Sequence, residues 1–315
     1  MDLQSISILV IGGPTGVGKT NLSIELAKQF NGEIINGDSL QVYKQLDIGT
    51  GKIMTSEMDG IPHHMLDILD VSMSYNASQF KYDATEKIKE IHRKGKLPII
   101  VGGTGLYLEG LLYDLEFGRE NSQDTQIRSQ LESQALELGN LAMWNQLNEI
   151  DPEAAKKIPY QNVQRTIRAM EVIAITGKTF SGQTSHDTKQ SVFNECLVIL
   201  NRNREELYDR INSRVHDMIS RGLEQEAKWL YDQSEGKDFQ SVKGIGYKEW
   251  WPYFNNRMDK DEVIETIQQN SRRYAKRQLT WFRNRMKNPQ WIDISNEDEA
   301  IKQATHIVKS HLQDN

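Results

Sequence analysis

Short apolar runs alternate with amphipathic stretches in the first third of the chain. Helical spacing of apolar residues occurs at 18–30 and 77–95. Apolar runs typical of buried strands lie at 6–13, 32–39, 63–69 and 97–103. Alternation of this kind predicts a parallel β-sheet with helices on both faces, an α/β fold.

The pattern changes near residue 118. Residues 119–190 are rich in Gln, Glu and Ala, with helical periodicity at 123–138, 140–149 and 160–175 and no convincing strand. A strand at 193–201 then returns the chain to the sheet, long amphipathic patterns cover 204–232 and 261–287, and 291–294 is a last short strand. We therefore predict a core of residues 1–118 and 191–315 with a helical insertion domain at 119–190.

Polar turns follow three of the predicted strands: GPTGVGKT (13–20), NGDS (36–39) and GGTG (102–105). In open parallel sheets, ligands bind at the carboxyl ends of the strands. All three turns are therefore expected on one rim, which is the predicted location of the active site.

Composition narrows the class of protein. The 315 residues are 26% charged and 37% hydrophobic, and no apolar run approaches the roughly 18 residues that span a membrane. One cysteine, Cys196, excludes an internal disulfide and a thiolate metal cluster. We expect a cytoplasmic protein with no membrane association and no obligate protein partner. The net charge of −6 argues only weakly against polyanions, since binding needs a local patch.

The first turn carries the most specific motif, the phosphate loop Gly13-x4-Gly18-Lys19-Thr20. Glycines let backbone N–H groups close around an anion, and the following helix adds its positive dipole end. Lys19 supplies a cation, and the Thr20 hydroxyl can ligate Mg²⁺. The strand before it and the helix after it are the context that the motif requires. The sequence thus predicts phosphate binding by Gly13, Pro14, Thr15, Gly16, Val17, Gly18, Lys19 and Thr20.

Two carboxylates follow the second strand. Asp38 could ligate a metal or take a proton from a nucleophile, but Asp-Ser also caps turns and helices. Asp47 precedes Gly49 and Gly51, which is typical of a simple turn. From spacing alone both readings of Asp38 stay open.

Two further features favour structural roles. The GGTG turn could form a second anion site, yet taken alone a tight strand-to-helix turn explains it better. His63 and His64 are adjacent on a predicted strand, so their side chains point to opposite faces and form a poor metal chelate.

A basic segment lies near the C-terminus. Seven cations and no acidic residue occur between 270 and 288: Arg272, Arg273, Lys276, Arg277, Arg283, Arg285 and Lys287. Tyr274, Trp281 and Phe282 are interleaved, which favours contact with a polynucleotide over a solvated helix face. A second group, Arg202, Arg204, Arg210 and Arg214, could close over a phosphate at the rim.

Eight stretches together resemble one family, the tRNA dimethylallyltransferases or tRNA isopentenyltransferases. They span most of the chain: GPTGVGKT (13–20), DSLQVYKQLDIGTGK (38–52), PHHMLDI (62–68), VGGTGLYL (101–108), QNVQRTIRAMEV (161–172), YDRINSRVHDMI (208–219), VKGIGYKE (242–249) and YAKRQLTWFR (274–283). The resemblance implies a core like that of the nucleotide kinases. It also implies Mg²⁺ as cofactor and transfer of a dimethylallyl group from dimethylallyl diphosphate to N6 of the adenine 3′ of the tRNA anticodon.

The resemblance also implies residue roles. Asp38 matches the family's general base, Arg214 the arginine on the departing diphosphate, and Lys19 and Thr20 complete the catalytic group. The positions that match tRNA contacts are Asp38, Ser39, Leu40, Gln41, Thr104, Arg128, Gln161, Asn162, Val163, Gln164, Arg165, Lys243, Gly244, Ile245, Gly246, Tyr247, Lys248 and Arg277.

Three other functions use part of these features. An ATP-dependent kinase explains the rim but leaves the basic segment without a role. An adenylate isopentenyltransferase acts on free nucleotides and would not need the insertion. An RNA-binding module would not need Lys19, Thr20 and Asp38. A GTPase is disfavoured because no Asn-Lys-x-Asp motif occurs.

Overall fold

The computed structural model describes residues 2–115, 122–183 and 190–313. The chain divides into two compact units, one formed by Met1–Leu115 and Gln190–Asn315 and the other by Glu116–Lys189. The predicted junction between residues 118 and 119 lies outside the described residues.

The first unit is built on a six-stranded parallel sheet with the order β3-β2-β4-β1-β5-β6. The strands are β1 (Ser7–Gly12), β2 (Gly32–Asn36), β3 (His63–His64), β4 (Leu97–Gly102), β5 (Asn194–Asn201) and β6 (Gln290–Asp293). The central strand pairs on both sides, Leu9 lying opposite Ile99 of β4 and Cys196 of β5. Its residues 8–11 are all buried, as expected for a parallel strand covered on both faces. The predicted α/β fold is confirmed.

The strand predicted at 63–69 is wrong for most of its length. Only His63 and His64 pair with β2, and the chain then turns away. Met65 and Asp67 adopt left-handed backbone conformations, with φ of 63° and 54°, which end the extended run.

The helices α1 (Lys19–Gln29), α2 (Ala77–Arg93) and α3 (Gly105–Leu112) belong to the N-terminal part of this unit. The Asn76 side chain accepts hydrogen bonds from the backbone N–H groups of Ser78 and Gln79, and so fixes the start of α2. Gly95, with φ of 70°, follows its end. The helix thus begins and ends close to the predicted bounds 77–95.

The second unit is helical in its described residues. It contains α4 (Ser122–Leu138), α5 (Asn140–Ile150), α6 (Pro152–Lys157) and α7 (Val163–Thr176), with a core of its own around Met143, Leu147, Ile167 and Met170. Three of these helices match the predicted ones, whereas α6 was not predicted. Asp151 caps α6 by accepting from the Ala154 N–H, and its carboxylate also accepts from Ser181. The last part of the predicted insertion, residues 184–189, lies outside the described residues.

Five helices follow: α8 (Arg204–Ser220), α9 (Leu223–Ser234), α10 (Trp251–Phe254), α11 (Lys260–Arg285) and α12 (Glu297–Gln313). The single pattern predicted over 204–232 is two helices, because Gly222 with φ of 102° interrupts it. An Asp259–Glu262 capping box begins α11, the helix of the basic segment. Within the three described ranges, no helix combines the length and apolar character that a membrane crossing needs.

Candidate active site

The phosphate loop connects β1 to α1 through backbone conformations that require glycine. Gly13, Gly16 and Gly18 have φ of 153°, 76° and 112°. A Cβ on Gly13 would also approach the Leu200 carbonyl oxygen to 3.0 Å. The motif therefore has the geometry that its sequence predicts.

Lys19 lies over this loop. Its ammonium donates to the carbonyl oxygens of Gly13 at 3.0 Å and Pro14 at 2.8 Å. Burial lowers the pKa of Lys19 to about 8, with Asp38 opposing the shift and Arg214 adding to it. The three charged groups thus share one electrostatic environment at the rim.

Asp38 follows β2 and is half-buried. Its Oδ1 accepts from the Leu40 N–H at 2.9 Å, so the turn-capping role left open by the sequence is present. Asn36 fixes the same turn, since its side chain accepts from the Asp38 N–H and donates to the Asp38 carbonyl, both at 3.1 Å. These bonds hold the carboxylate at the cavity, where it remains close enough to influence Lys19 and Arg214.

The GGTG turn packs tightly against its neighbours. A Cβ on Gly102 would lie 2.3 Å from the Gly37 carbonyl oxygen, and one on Gly103 would lie 2.2 Å from Gln278 Nε2. Thr104 Oγ1 accepts from the Ser39 N–H at 3.1 Å, which joins this turn to the turn that carries Asp38. The glycines therefore serve close backbone approach, as the structural reading of this turn predicts.

Arg214 reaches the rim from α8. Its Nη2 donates to the Thr50 carbonyl at 3.4 Å, and a Cβ on Gly51 would lie 1.7 Å from this nitrogen. Burial lowers the pKa of Arg214, and Asp38 opposes the shift. Sequence spacing alone could not have predicted that this arginine lies near Asp38, because the two residues are 176 positions apart in the chain.

A cavity of about 380 Å³ is lined by Asp38, by Arg214 and, from the phosphate loop, by Thr15. Its described lining is Thr15, Asp38, Ser39, Leu40, Gly49, Thr50, Ile211, Arg214, Val215, Met218, Gln240, Lys243, Gly244, Ile245, Gly246, Lys248, Ile267, Ser271, Tyr274 and Arg277. The lining thus combines polar and charged side chains with the apolar side chains of Ile211, Val215 and Met218. Such a cavity suits a ligand with an apolar part and an anionic part.

Gln278, a buried glutamine at this site, was not identified from the sequence. Gln278 Oε1 accepts from the Thr15 N–H, and its Nε2 donates to the Gly103 carbonyl, both at 2.9 Å. It therefore ties the phosphate loop to the GGTG turn. The available signal was its position four residues after Tyr274 in α11, which places both on one face of a helix otherwise marked by cations.

The basic segment has mixed roles. Arg272 bonds to the Asn212 side chain, and Arg283 and Arg285 stack over the rings of Trp291 and Trp281. Arg277 is exposed, stacks on Tyr274 and lines the cavity. Arg277 is therefore the cation of the segment that the structure brings to the site.

The arginines of the second basic group also have different environments in the structure. Arg202 is buried and bonds to Glu206 and to the Ile294 carbonyl, which gives it a structural role in place of the predicted phosphate contact. Arg204 stacks on Tyr208. Arg210 Nε donates to the Gly16 carbonyl at 3.2 Å, so this residue touches the phosphate loop through its backbone.

The segment 243–248 combines exposed and buried residues. Lys243 and Lys248 are exposed and line the cavity. Tyr247 is fully buried, so its predicted direct contact with tRNA is corrected: the ring supports the segment from below. The hydroxyl of Tyr247 donates to Glu226 at 2.7 Å.

The residues predicted in the insertion lie around the start of α7. Gln161, Gln164 and Arg165 are exposed, and Val163 is the first residue of the helix. Asn162 caps the helix by accepting from the Arg165 N–H. Arg128 is held within the unit by Glu132 at 3.0 Å, Gln164 at 3.2 Å and Glu171 at 3.4 Å.

The remaining candidates have structural partners. Asp47 pairs with the buried Lys52 at 2.6 Å, and His64 Nε2 lies 2.7 Å from a Glu33 oxygen. His63 Nδ1 lies 2.8 Å from the Ile61 carbonyl. Among the described residues, no group of three or more His, Cys, Asp or Glu side chains could hold a metal ion by itself.

Comparisons with known proteins agree on one family. The family model "IPP transferase" matches residues 41–285. The chain is 46% identical over 312 residues to the tRNA dimethylallyltransferase of Bacillus mycoides, covering 99% of this chain and 97% of the relative. It is 47% identical over 313 residues to that of Anoxybacillus flavithermus, with 98% of each covered.

Solved structures give the same answer. The full-length tRNA isopentenylpyrophosphate transferase of Bacillus halodurans has a TM-score of 0.74 and 43% identity, covering 98% of each chain. A eukaryotic dimethylallyltransferase acting on tRNA has a TM-score of 0.83 and 32% identity, covering 99% of this chain and 80% of that one.

Proposed function

The chain belongs to the IPP transferase family, and we propose that its cavity is where the adenine N6 of a tRNA displaces diphosphate from dimethylallyl diphosphate. The enzyme is a tRNA dimethylallyltransferase, and its product is N6-dimethylallyladenosine next to the anticodon, on the 3′ side. One observation carries the site assignment: Asp38 and Arg214 line the same cavity, and Lys19 lies in their electrostatic environment.

The nucleophile needs help because the exocyclic amine of adenine is delocalised into the ring. A carboxylate that accepts a hydrogen bond from this amine localises the lone pair and takes a proton as the C–N bond forms. Asp38 performs this step in our proposal, since its turn is anchored by Asn36 and its carboxylate lies at the cavity. Ser39, Leu40, Gln41 and Thr104 surround the base.

The leaving group needs stabilisation of negative charge. As the allylic C–O bond breaks, positive charge spreads over the allyl unit and negative charge collects on the diphosphate. The loop N–H groups, Lys19 and Arg214 stabilise that charge electrostatically. Ile211, Val215 and Met218 provide an apolar surface for the dimethylallyl group. The phosphate loop thus holds a group that departs, and no phosphoryl group is transferred.

Mg²⁺ fits the donor set that the loop offers. The hydroxyl of Thr20, at the start of α1, would hold the ion beside the bound diphosphate. A site shared with substrate phosphates needs no cluster of three protein ligands, and the described residues contain none. When bound, Mg²⁺ neutralises charge on the diphosphate.

tRNA reaches the cavity with its target base extruded from the stack, which costs a few kcal/mol. The exposed cations Lys243, Lys248 and Arg277 at the cavity lining suit the backbone phosphates that flank this base. We propose that residues 161–165 and Arg128 of the insertion contact the same anticodon stem-loop. We also propose that the enzyme works in the cytoplasm.

The function is tested by incubating the enzyme with Mg²⁺, labelled dimethylallyl diphosphate and an anticodon stem-loop. Mass analysis of the adenosines should show the dimethylallyl adduct. AMP in place of the stem-loop tests a free-nucleotide substrate, and labelled ATP tests phosphoryl transfer. Phosphorylated product without a prenyl adduct would overturn the proposal.

The pKa of Lys19 predicts how binding depends on pH. The ammonium is protonated below about 8 and loses its charge as the pH rises through this value. Affinity for dimethylallyl diphosphate should therefore be constant near pH 7 and fall above pH 8, measured by calorimetry without tRNA. Lys19→Arg should lose this alkaline decrease, because a guanidinium stays protonated. An unchanged decrease in Lys19→Arg would assign it to another group.

Arg277 should contact a tRNA phosphate, because it is the exposed cation of the basic segment at the cavity. Arg277→Gln should weaken tRNA binding for all sequences alike and reduce the slope of log affinity against log salt by about one unit. Binding of dimethylallyl diphosphate should not change. Arg283→Gln is the matched control, since this guanidinium stacks on Trp291. A wild-type slope for Arg277→Gln would show that this arginine does not contact a tRNA phosphate.

A further inference from the structure

Glu226 on α9 is the acceptor for four hydrogen bonds that the proposed reaction does not use. Its Oε2 accepts from the N–H groups of Asp47 at 2.9 Å and Ile48 at 2.8 Å. Its Oε1 accepts from the Gly49 N–H at 2.8 Å and the Tyr247 hydroxyl at 2.7 Å. Burial and the neighbouring Glu226 carboxylate raise the pKa of Tyr247, so the hydroxyl stays a donor.

The three backbone donors are consecutive, so the loop at 47–49 wraps around the carboxylate as such loops wrap around anions. Hydrogen bonds to a charged acceptor are stronger than neutral ones. The contact also requires glycine at position 49, because a Cβ there would lie 2.6 Å from the Tyr247 ring. Both the charge and the glycine therefore specify one conformation of this loop.

That conformation presents the next carbonyl to the active site. The Thr50 oxygen accepts from Arg214 Nη2 at 3.4 Å and from Gln41 Nε2 at 3.2 Å. Gly51 leaves the space that the guanidinium occupies. The loop held by Glu226 is thus the backbone partner of the arginine assigned to the diphosphate and of a residue assigned to the base.

The fourth bond reaches a different part of the cavity lining. Tyr247 is buried beneath the segment in which Gly244, Ile245 and Gly246 line the cavity. One carboxylate therefore joins the loop behind Arg214 to the segment proposed to meet tRNA.

We propose that Glu226 is a positioning residue for prenyl transfer: it fixes the 47–51 loop so that the Thr50 carbonyl orients Arg214, and links that loop to Tyr247 in the tRNA-binding segment. The inference rests on the proposed function and adds a residue that touches neither substrate.

Glu226→Gln is the direct test, because it keeps the size but removes the charge and turns an NH₂ group towards backbone donors. The single-turnover rate at saturating substrates should fall about tenfold or more. Glu224→Gln is the matched control on the same helix, since Glu224 bonds to Lys260 and Tyr253 outside the cavity. This control should keep the wild-type rate.

Combining Glu226→Gln with Arg214→Ala distinguishes a positioning role of Glu226 from a general loss of structure. If Glu226 acts through Arg214, Glu226→Gln should slow an Arg214→Ala enzyme by less than about twofold, whereas independent effects would multiply. A full tenfold effect in that background, or a wild-type rate for Glu226→Gln alone, would overturn the proposal. An inactive wild-type enzyme would instead reject the proposed function.

Thermal unfolding shows whether Glu226→Gln is folded. If it is not, Tyr247→Phe decides, because it removes one donor and leaves the carboxylate in place. Its rate should fall about threefold, again without a further effect in the Arg214→Ala background. A wild-type rate for Tyr247→Phe would then reject the link between the two segments.

Discussion

Lys19→Ala and Arg214→Ala should each lower the single-turnover rate of prenyl transfer by about 10²–10³-fold. Both side chains stabilise charge that develops on the departing diphosphate, in a partly buried site where an electrostatic interaction is stronger than in water. The measurement is single-turnover transfer to an anticodon stem-loop at saturating dimethylallyl diphosphate. A substrate with a poorer leaving group should be affected more strongly.

Matched controls exist on the same helices. Lys28 lies at the far end of α1, where it pairs with Glu25 and Asp59, and Arg204 at the start of α8 stacks on Tyr208. Lys28→Ala and Arg204→Ala should keep the wild-type rate. Normal turnover of both Lys19→Ala and Arg214→Ala would refute the assignment of the diphosphate to this rim.

Asp38→Ala should lower the rate constant for chemistry by about 10²-fold or more, with a much smaller change in tRNA affinity. The physical reason is the loss of the base that aligns and deprotonates the adenine amine. Single-turnover kinetics combined with a gel-shift assay measure the two effects separately.

Asp38→Asn distinguishes this role from the turn that Asp38 also caps. An amide oxygen can still accept from the Leu40 N–H but cannot take a proton. We expect the single-turnover rate of Asp38→Asn to be as low as that of Asp38→Ala. If Asn restores a near-normal rate, Asp38 acts through the turn and not as a base. Asp70→Asn is the control for removing a carboxylate, since Asp70 is exposed and pairs with Lys44 outside the cavity.

Much of the fold was accessible from local patterns. The phosphate loop, the strand runs and the helical pattern at 77–95 are local features, because glycine conformations and apolar periodicity act over a few residues. The C-terminal helix α12 was missed. Its apolar residues Ala300, Ile301, Ala304, Ile307 and Val308 do recur at helical spacing and pack in the core, on α1 and the sheet, so the local signal was present and was overlooked.

In the active site, too, local sequence features were predictable and contacts between distant residues were not. The sequence by itself determined the phosphate loop with Lys19, the family with Asp38 and Arg214 as its matching residues, and the basic character of α11. Only the tertiary structure decided that Arg277 lies at the cavity while Arg202 is buried, that Tyr247 lies beneath its segment, and that Gln278 and Glu226 tie distant loops together. These contacts join residues up to 263 positions apart. They depend on the order of the strands and the packing of helices, which no local periodicity encodes.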